Sequence, residues 1–148
     1  VQWSISNTIA IVLLIVAFKK PKLARLLFAI VFALACWTNY SMAQNSPEEY
    51  LEYARITPFS MYSDFINGWF KGHITSMVSL ISVGQGLIAI GLLLKGWLVR
   101  LACIGSIVFL VAITPLGLGS GFPFTILSIF AIFIIWRKDD LNWMWKFN

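Results

Sequence analysis

Five apolar stretches divide the chain, and each is separated from the next by a shorter polar, charged or glycine-rich gap. A helix needs about 20 apolar residues to cross the hydrocarbon core of a bilayer, and snorkelling side chains extend a shorter one. The stretches are too long and too uniformly apolar for the half-buried elements of a soluble domain. The pattern therefore predicts membrane spans at about 3–18, 23–40, 74–94, 98–115 and 122–136.

The segment 41–72 is the one long polar gap, and it predicts two short helices. The first begins at Ser46-Pro47, where Ser46 is placed to cap the helix and Glu49 to complete a capping box. It should end before Thr57-Pro58, because a residue that precedes proline disfavours helical angles.

The second short helix is predicted from about Ser60 to Phe70. Its aromatic and apolar side chains recur at the spacing of one helical face. Such a stripe predicts an amphipathic helix that lies in the headgroup zone or covers the end of the bundle. The stripe consists of Tyr62, Phe65, Ile66, Trp69 and Phe70.

Basic residues are concentrated in alternate gaps. The first, third and C-terminal gaps hold nine of the eleven lysines and arginines: Lys19, Lys20, Lys22, Arg25, Lys95, Arg100, Arg137, Lys138 and Lys146. Loops rich in lysine and arginine stay on the cytoplasmic side of a membrane. The pattern therefore predicts a multi-pass protein with its N-terminus outside and its C-terminus in the cytoplasm.

Composition supports a membrane class. The chain is 59% hydrophobic and only 11% charged, whereas soluble domains carry about 25% charged residues. Its length allows a single integral membrane domain, 1–148, and no sizeable soluble one. The net charge of +5 does not indicate nucleic-acid binding, because the cations flank apolar spans. Anionic lipid headgroups are the simpler partner.

The predicted fold is an all-α bundle of about five transmembrane helices. Four form the core, a fifth precedes them, and short amphipathic helices lie on the outer side. The third span should be central, because small residues on one face let helix backbones approach closely in lipid. These residues are Ser76, Ser79, Ser82, Gly86 and Ala89.

Gln85, in the middle of the third span, is the first candidate for a functional residue. An amide in hydrocarbon needs a hydrogen-bond partner. Either it donates to a ligand carbonyl, or it forms an ordinary bond between helices. Asn39, near the end of the second span, allows capping or interhelical bonding in the same way.

His73 and Asp64 are candidates at the outer side. His73 is the one histidine, and it either binds a ligand oxygen or is an interfacial residue without a special role. Asp64 either pairs with Arg55 or His73 in a solvated ion pair or belongs to a site over the bundle. Tyr62, Trp69 and Phe70 would line or cover such a pocket.

Other chemistry finds little support in the sequence. The interior of the spans contains no acidic or basic residue by this reading, and proton relays and most ion-coupled carriers require such groups. With one histidine no hydrolase triad can be assembled, so the chain leans away from an enzyme. Cys36 and Cys103 lie in apolar surroundings without metal-ligand spacing, which indicates packing.

The stretch from Gly84 to Ala102, GQGLIAIGLLLKGWLVRLA, resembles the DoxX-like family of four-helix bacterial membrane proteins. The resemblance covers about residues 22–137 and leaves the first span as an addition. An acidic residue often stands in that family where Gln85 stands here, which weakens any transfer of acid–base chemistry. The resemblance implies a bacterial inner-membrane component linked with quinone-coupled or other membrane redox reactions, with a periplasmic outer face.

Three hypotheses follow. The leading one is a DoxX-like membrane component that binds a quinone or lipid between the spans and the outer aromatic helix. The second is a structural or assembly subunit whose small-residue face packs against membrane-protein partners or a second copy. The third is a small membrane enzyme with its site at the outer surface. A ligand binder should have an apolar pocket reaching Gln85, whereas a structural subunit should have Gln85 bonded to a neighbouring helix with no cavity there.

Overall fold

The computed structural model describes residues 2–116 and 123–140. This part of the chain is helical throughout, without a strand, which confirms the all-α class. In this part of the chain the 3-10 helices Pro47–Leu51 and Phe70–Gly72 accompany seven α-helices, and a short 3-10 stretch at 114–116 follows the sixth. The α-helices are α1 Gln2–Lys19, α2 Pro21–Asn45, α3 Glu52–Ile56, α4 Ser60–Asn67, α5 Ile74–Leu93, α6 Trp97–Ile113 and α7 Phe124–Lys138.

The five longer helices pack as a ring. Going around it, α1 contacts α2, α2 contacts α5, α5 contacts α6, α6 contacts α7, and α7 returns to α1. The helix α2 also contacts α7 across the ring, and its most extensive contact is with α5. The first helix is therefore an integral part of the bundle between α2 and α7, and not an appendage to a four-helix core.

Within residues 2–116 and 123–140, three helices are long and apolar enough to cross a membrane: Pro21–Asn45, Ile74–Leu93 and the run Trp97–Leu116 that begins with α6. The apolar helix Ser4–Lys19 is shorter, and α7 has 15 residues. Large apolar side chains are exposed along all five ring helices, among them Ile11, Leu34, Leu87, Val108 and Phe130. An outer surface of this kind suits lipid.

The alternate basic gaps meet at one end of the bundle, here called the basic end, which comprises residues 18–25, 94–100 and 137–140. Lys138 Nζ donates to the Phe18 carbonyl, Lys22 pairs with Asp140, and Arg25 pairs with Asp139 and also donates to the Leu94 carbonyl. These contacts join the three segments. The segment 46–73 packs at the opposite, outer end. The charge sorting in the sequence therefore corresponds to the two ends of one helical bundle.

Arg25 corrects the expectation that no span contains a buried charge. It lies in the first turns of α2 and is fully buried. Its Nη1 donates to Asp139 Oδ2 at 2.6 Å, and its Nη2 donates to the Leu94 carbonyl at 3.3 Å. The Asp139 side chain is only 3% exposed. A buried guanidinium is tolerated because its counter-charge is buried with it.

Helix limits follow local chemistry at most positions. Pro21 stands at the first position of α2, where its missing N–H costs nothing. Thr57 is extended and ends α3, as predicted for a residue before proline. Gly96 has a φ of +61° in the short turn between α5 and α6, a conformation that favours glycine.

Three details at the outer end differ from expectation. The helix α2 continues to Asn45, five residues beyond the predicted span, because its backbone hydrogen bonds continue through the polar residues that follow the apolar run. Ser46 makes no side-chain cap; its N–H donates to the Met42 carbonyl, so it ends α2 as well as preceding the next helix. The α4 helix ends at Asn67, before Gly68. Most of the glycine-rich gap between the fourth and fifth predicted spans, and residues 141–148, lie outside the described residues.

Small residues bring α5 close to both neighbours. On the α2 side, Ser82 and Ala89 are buried, and a Cβ at Gly86 would lie 3.2 Å from Cys36 Sγ. On the α6 side, a Cβ at Gly91 would lie 2.9 Å from that of Ala102. The predicted central position of this helix is thereby explained by two close helix–helix contacts.

We expect Gly91→Ala to lower the thermal unfolding midpoint in detergent, because overpacking a tight contact costs about 1–3 kcal/mol. Gly84→Ala is the matched control, since a Cβ there meets no described atom within 4 Å. It should be neutral or stabilising by about 0.5–1 kcal/mol, the ordinary helix preference for alanine. Equal midpoints for the two variants would contradict the close α5–α6 approach.

We expect Asp139→Asn to destabilise the bundle by about 3–5 kcal/mol, because it leaves the buried Arg25 charge without its counter-ion. Asp140→Asn, which removes a carboxylate that is 47% exposed, should cost less than about 1 kcal/mol. Unfolding of both variants in the same detergent provides the comparison. Similar losses of stability in the two variants would show that the buried Arg25–Asp139 pair stabilises the bundle no more than the exposed carboxylate does.

Candidate functional site

A cavity of about 760 Å³ occupies the outer half of the bundle. It lies between the ring helices and beneath the helices of segment 46–73, and all five ring helices contribute to its wall. Its lining includes Ser6, Phe28, Phe32, Asn39, Tyr50, Tyr53, Tyr62, Phe65, Ile66, Phe70, Met77, Ile81, Gln85, Phe109, Ile113, Phe124 and Ser128. This space is here called the central cavity.

The wall of the central cavity is mainly aromatic and aliphatic. Phe32 of α2 and Phe109 of α6 meet edge to face, with ring centroids 6.3 Å apart. Phe28 and Leu110 are almost fully buried beside them. Bulky rings from facing helices hold the backbones apart, and the space between them is lined by apolar side chains. Such a lining suits an apolar or amphiphilic molecule.

A polar chain crosses the cavity wall and ties three elements together. Tyr50 Oη donates to Asn39 Oδ1 at 2.8 Å, and Asn39 Nδ2 donates to Gln85 Oε1 at 2.9 Å. The chain therefore links the first outer helix, α2 and α5. Each bond lies in largely buried surroundings, where losing a partner is costly.

Gln85 and Ser128 have hydrogen-bonding groups that the described residues leave without a partner. The Gln85 side chain uses only its Oε1 within the described part of the chain, so its Nε2–H donors have no partner there. Ser128 Oγ of α7 is buried and likewise has no partner among the described residues. Gln85 is 3% exposed and Ser128 is fully buried. Both residues line the cavity.

Burial and nearby negative groups keep Tyr50 protonated. Burial, followed by the neighbouring Tyr53 and Glu49, raises the pKa of Tyr50 to about 12. Burial also raises the pKa of Tyr53, with Glu49 as a second cause. The two rings meet edge to face, 5.8 Å between centroids. The Tyr50 phenol is therefore a neutral donor at any physiological pH.

Besides the Tyr50–Asn39 bond, two hydrogen bonds fasten the outer segment to the helical run that begins with α6. Tyr62 Oη donates to the Ala112 carbonyl at 2.7 Å. Thr57 Oγ1 donates to the Pro115 carbonyl at 2.6 Å. Both acceptors lie at the end of the helical run that begins with α6, where backbone carbonyls lack helical partners. The covering segment is thereby fixed over the cavity.

The structure brings Gln85, Tyr62 and Phe70 to the same cavity. The predicted aromatic stripe divides, because Phe65 and Ile66 also line this space whereas Trp69 does not. Trp69 is 51% exposed and stacks on His73, 4.2 Å between ring centroids.

His73 and Asp64 lie away from the central cavity. Nδ1 of His73 donates to the Trp69 carbonyl at 2.8 Å, and the ring borders a separate shallow depression with Glu48 and Lys71. Asp64 is exposed. The predicted pairing of Asp64 with Arg55 or His73 is absent from the described part of the chain. Arg55 bonds to Glu52 one turn earlier instead.

The two outcomes proposed for Gln85 occur together. It is bonded to a neighbouring helix through Asn39, as a structural subunit would require, and it also lines a cavity. Sequence reasoning identified Asn39 only as a capping or interhelical residue, and it missed Tyr50 and Ser128. An asparagine inside an apolar helix is a recognisable signal, whereas a serine among large apolar residues gives little.

Neither a protein-family model, nor a characterised protein, nor a solved structure matched the chain in comparison searches.

We expect Tyr50→Phe to lower the free energy of unfolding at neutral pH by about 1–3 kcal/mol, because Asn39 loses a buried partner. Tyr40→Phe is the control, since the Tyr40 side chain is 48% exposed. The raised pKa of Tyr50 makes its contribution fully present below about pH 10 and lost as the pH rises through about 12. The difference between wild type and Tyr50→Phe should shrink over that interval; a constant difference would contradict a role for the neutral phenol.

Proposed function

We propose that this chain is a DoxX-like integral membrane component that binds a quinone or lipid inside its helical bundle. The ligand would occupy the central cavity, with Gln85 as its polar contact and Tyr62 and Phe70 covering it. His73, Trp69 and Asp64, which were candidates by sequence, have no part in this form of the proposal.

The central cavity at Gln85 carries the proposal. Its volume of about 760 Å³ falls within the range of about 300–1,000 Å³ that is typical of small-molecule sites. Its apolar wall matches an isoprenoid or acyl chain, and its polar groups include Gln85 in the middle of α5 and Asn39, to which it bonds. A long apolar tail and one polar end are the features of both quinones and lipids.

The proposed topology has five spans, formed by α1, α2, α5, α6 and α7. The shorter α1 and α7 pack against each other and against longer helices, so flanking side chains and local thinning can make up their length. The clustering of lysine and arginine at the basic end supports a cytoplasmic location for that end. The outer helices would then face the periplasm of a bacterial inner membrane.

A structural or assembly subunit is the second candidate, and the Asn39–Gln85 bond favours it. The small-residue face proposed to receive a partner is however occupied by α2 of the same chain, through Gly86 and Cys36. A partner protein would need the large exposed side chains instead. A membrane enzyme at the outer surface lacks support, since Asp64 and His73 form no hydrogen bond or ion pair with each other in the described part of the chain.

Native mass spectrometry of protein gently extracted from its own membrane tests the proposal. We expect a bound quinone- or lipid-sized molecule that Gln85→Ala loses. Gln44→Ala is the matched control, because Gln44 also joins α2 to α5, through Ser79, but lies outside the cavity wall. Stoichiometric protein partners without a small molecule would favour the structural subunit and refute ligand binding.

A further inference from the structure

The polar groups of the central cavity are all uncharged. Its wall contains no aspartate, glutamate, lysine, arginine or histidine among the described residues. The polar members are the amides Asn39 and Gln85, three tyrosines and the serines Ser6 and Ser128. A carboxylate or phosphate placed among them would lose its hydration without gaining a counter-ion, which is strongly unfavourable.

The buried cation nearest to this wall along α2 is already neutralised. Arg25 lies one helical turn before Phe28, which lines the cavity. Its guanidinium is directed to Asp139 and to the Leu94 carbonyl at the basic end. Lys22, the other buried cation of α2 among the described residues, pairs with Asp140. Both buried positive charges of this helix therefore already have acidic partners and are not offered to an anionic ligand.

The direction of the hydrogen-bond chain determines what the wall offers. Tyr50 donates to Asn39, and Asn39 donates to Gln85 Oε1. This order leaves the Nε2–H groups of Gln85 as donors without a protein acceptor in the described residues. Ser128 on α7 supplies a second uncommitted group, a hydroxyl. A ligand that bonds to the Nε2–H groups of Gln85 must present a hydrogen-bond acceptor, such as a carbonyl oxygen, and the Ser128 hydroxyl can serve it as donor or acceptor.

From these observations we infer that the central cavity selects an uncharged amphiphile that presents a carbonyl oxygen to Gln85, and that it discriminates against the same molecule carrying a phosphate. The inference rests on the proposed function and narrows its ligand class. Two kinds of molecule share the required chemistry: a ring ketone of a quinone and an ester carbonyl of a neutral glycerolipid. We expect Ser128 of α7 to form a second hydrogen bond to the same ligand, which requires a small movement of its side chain because its Oγ has almost no accessible surface.

Matched probes test this selectivity on the purified full chain in an uncharged detergent. The probes are 2-decyl-1,4-benzoquinone, dioctanoylglycerol and dioctanoylphosphatidate, of which the last two differ only in the phosphate. Binding is measured by native mass spectrometry and by the shift of the thermal unfolding midpoint. We expect at least one neutral probe to bind at least about tenfold more tightly than the phosphatidate, and the probe that binds identifies the source of the carbonyl.

The variants separate a direct contact from a structural effect. Gln85→Leu should weaken the neutral probe about tenfold, whereas Gln44→Leu should leave its binding unchanged. Ser128→Ala provides a second test if the Gln85 variant fails to fold, with Ser106→Ala as its control, since Ser106 bonds to its own helix. Equal or tighter binding of the phosphatidate would overturn the inference and leave the proposed function intact. Failure of all three probes to bind would refute the proposed function itself.

Discussion

The buried ion pair between Arg25 and Asp139 organises the basic end of the bundle. One guanidinium on α2 bonds to Asp139, directly after α7, and to the carbonyl of Leu94, directly after α5, so three helices converge on a single side chain. Fully buried, it has no access to compensating water. Its geometry is therefore maintained by its partners, and the packing of α2 against α5 and α7 depends on that arrangement.

The side chains between the helices differ along the length of the bundle. Small residues set the α2–α5 and α5–α6 distances, through Gly86 and Gly91. Phenylalanines such as Phe32 and Phe109 instead keep α2 and α6 apart beside the central cavity. The result is a bundle that is tightly packed at one end and contains the central cavity at the other. The Asn39–Gln85 bond lies within the cavity wall, so the same contact contributes both to helix association and to the proposed site.

Much of the architecture could be predicted because it depends on local composition. Apolar runs give helices, proline and glycine end them, and the sorting of cations assigns alternate connections to one end.

Partners distant in the chain could not be predicted. Arg25 and Asp139 are 114 positions apart, and Arg25 was counted with a polar gap because nothing near it in sequence reveals its counter-charge. Gln85 was expected to need a partner, but the choice of Asn39 depends on the register of α2 against α5. The cavity is the space that large side chains from different helices leave unfilled, and the sequence pattern does not show how those side chains pack together.

The short connections at the basic end have a mechanical consequence. A single residue, Lys20, joins α1 to α2, and three residues join α5 to α6, while Arg25 pins α2 to α7. If a helix tilts about such a connection, its opposite end moves the farthest. At the outer end, Tyr62 and Thr57 each hold the covering segment to the helical run that begins with α6 by one hydrogen bond. We therefore expect any molecule that enters or leaves the cavity to do so on that side.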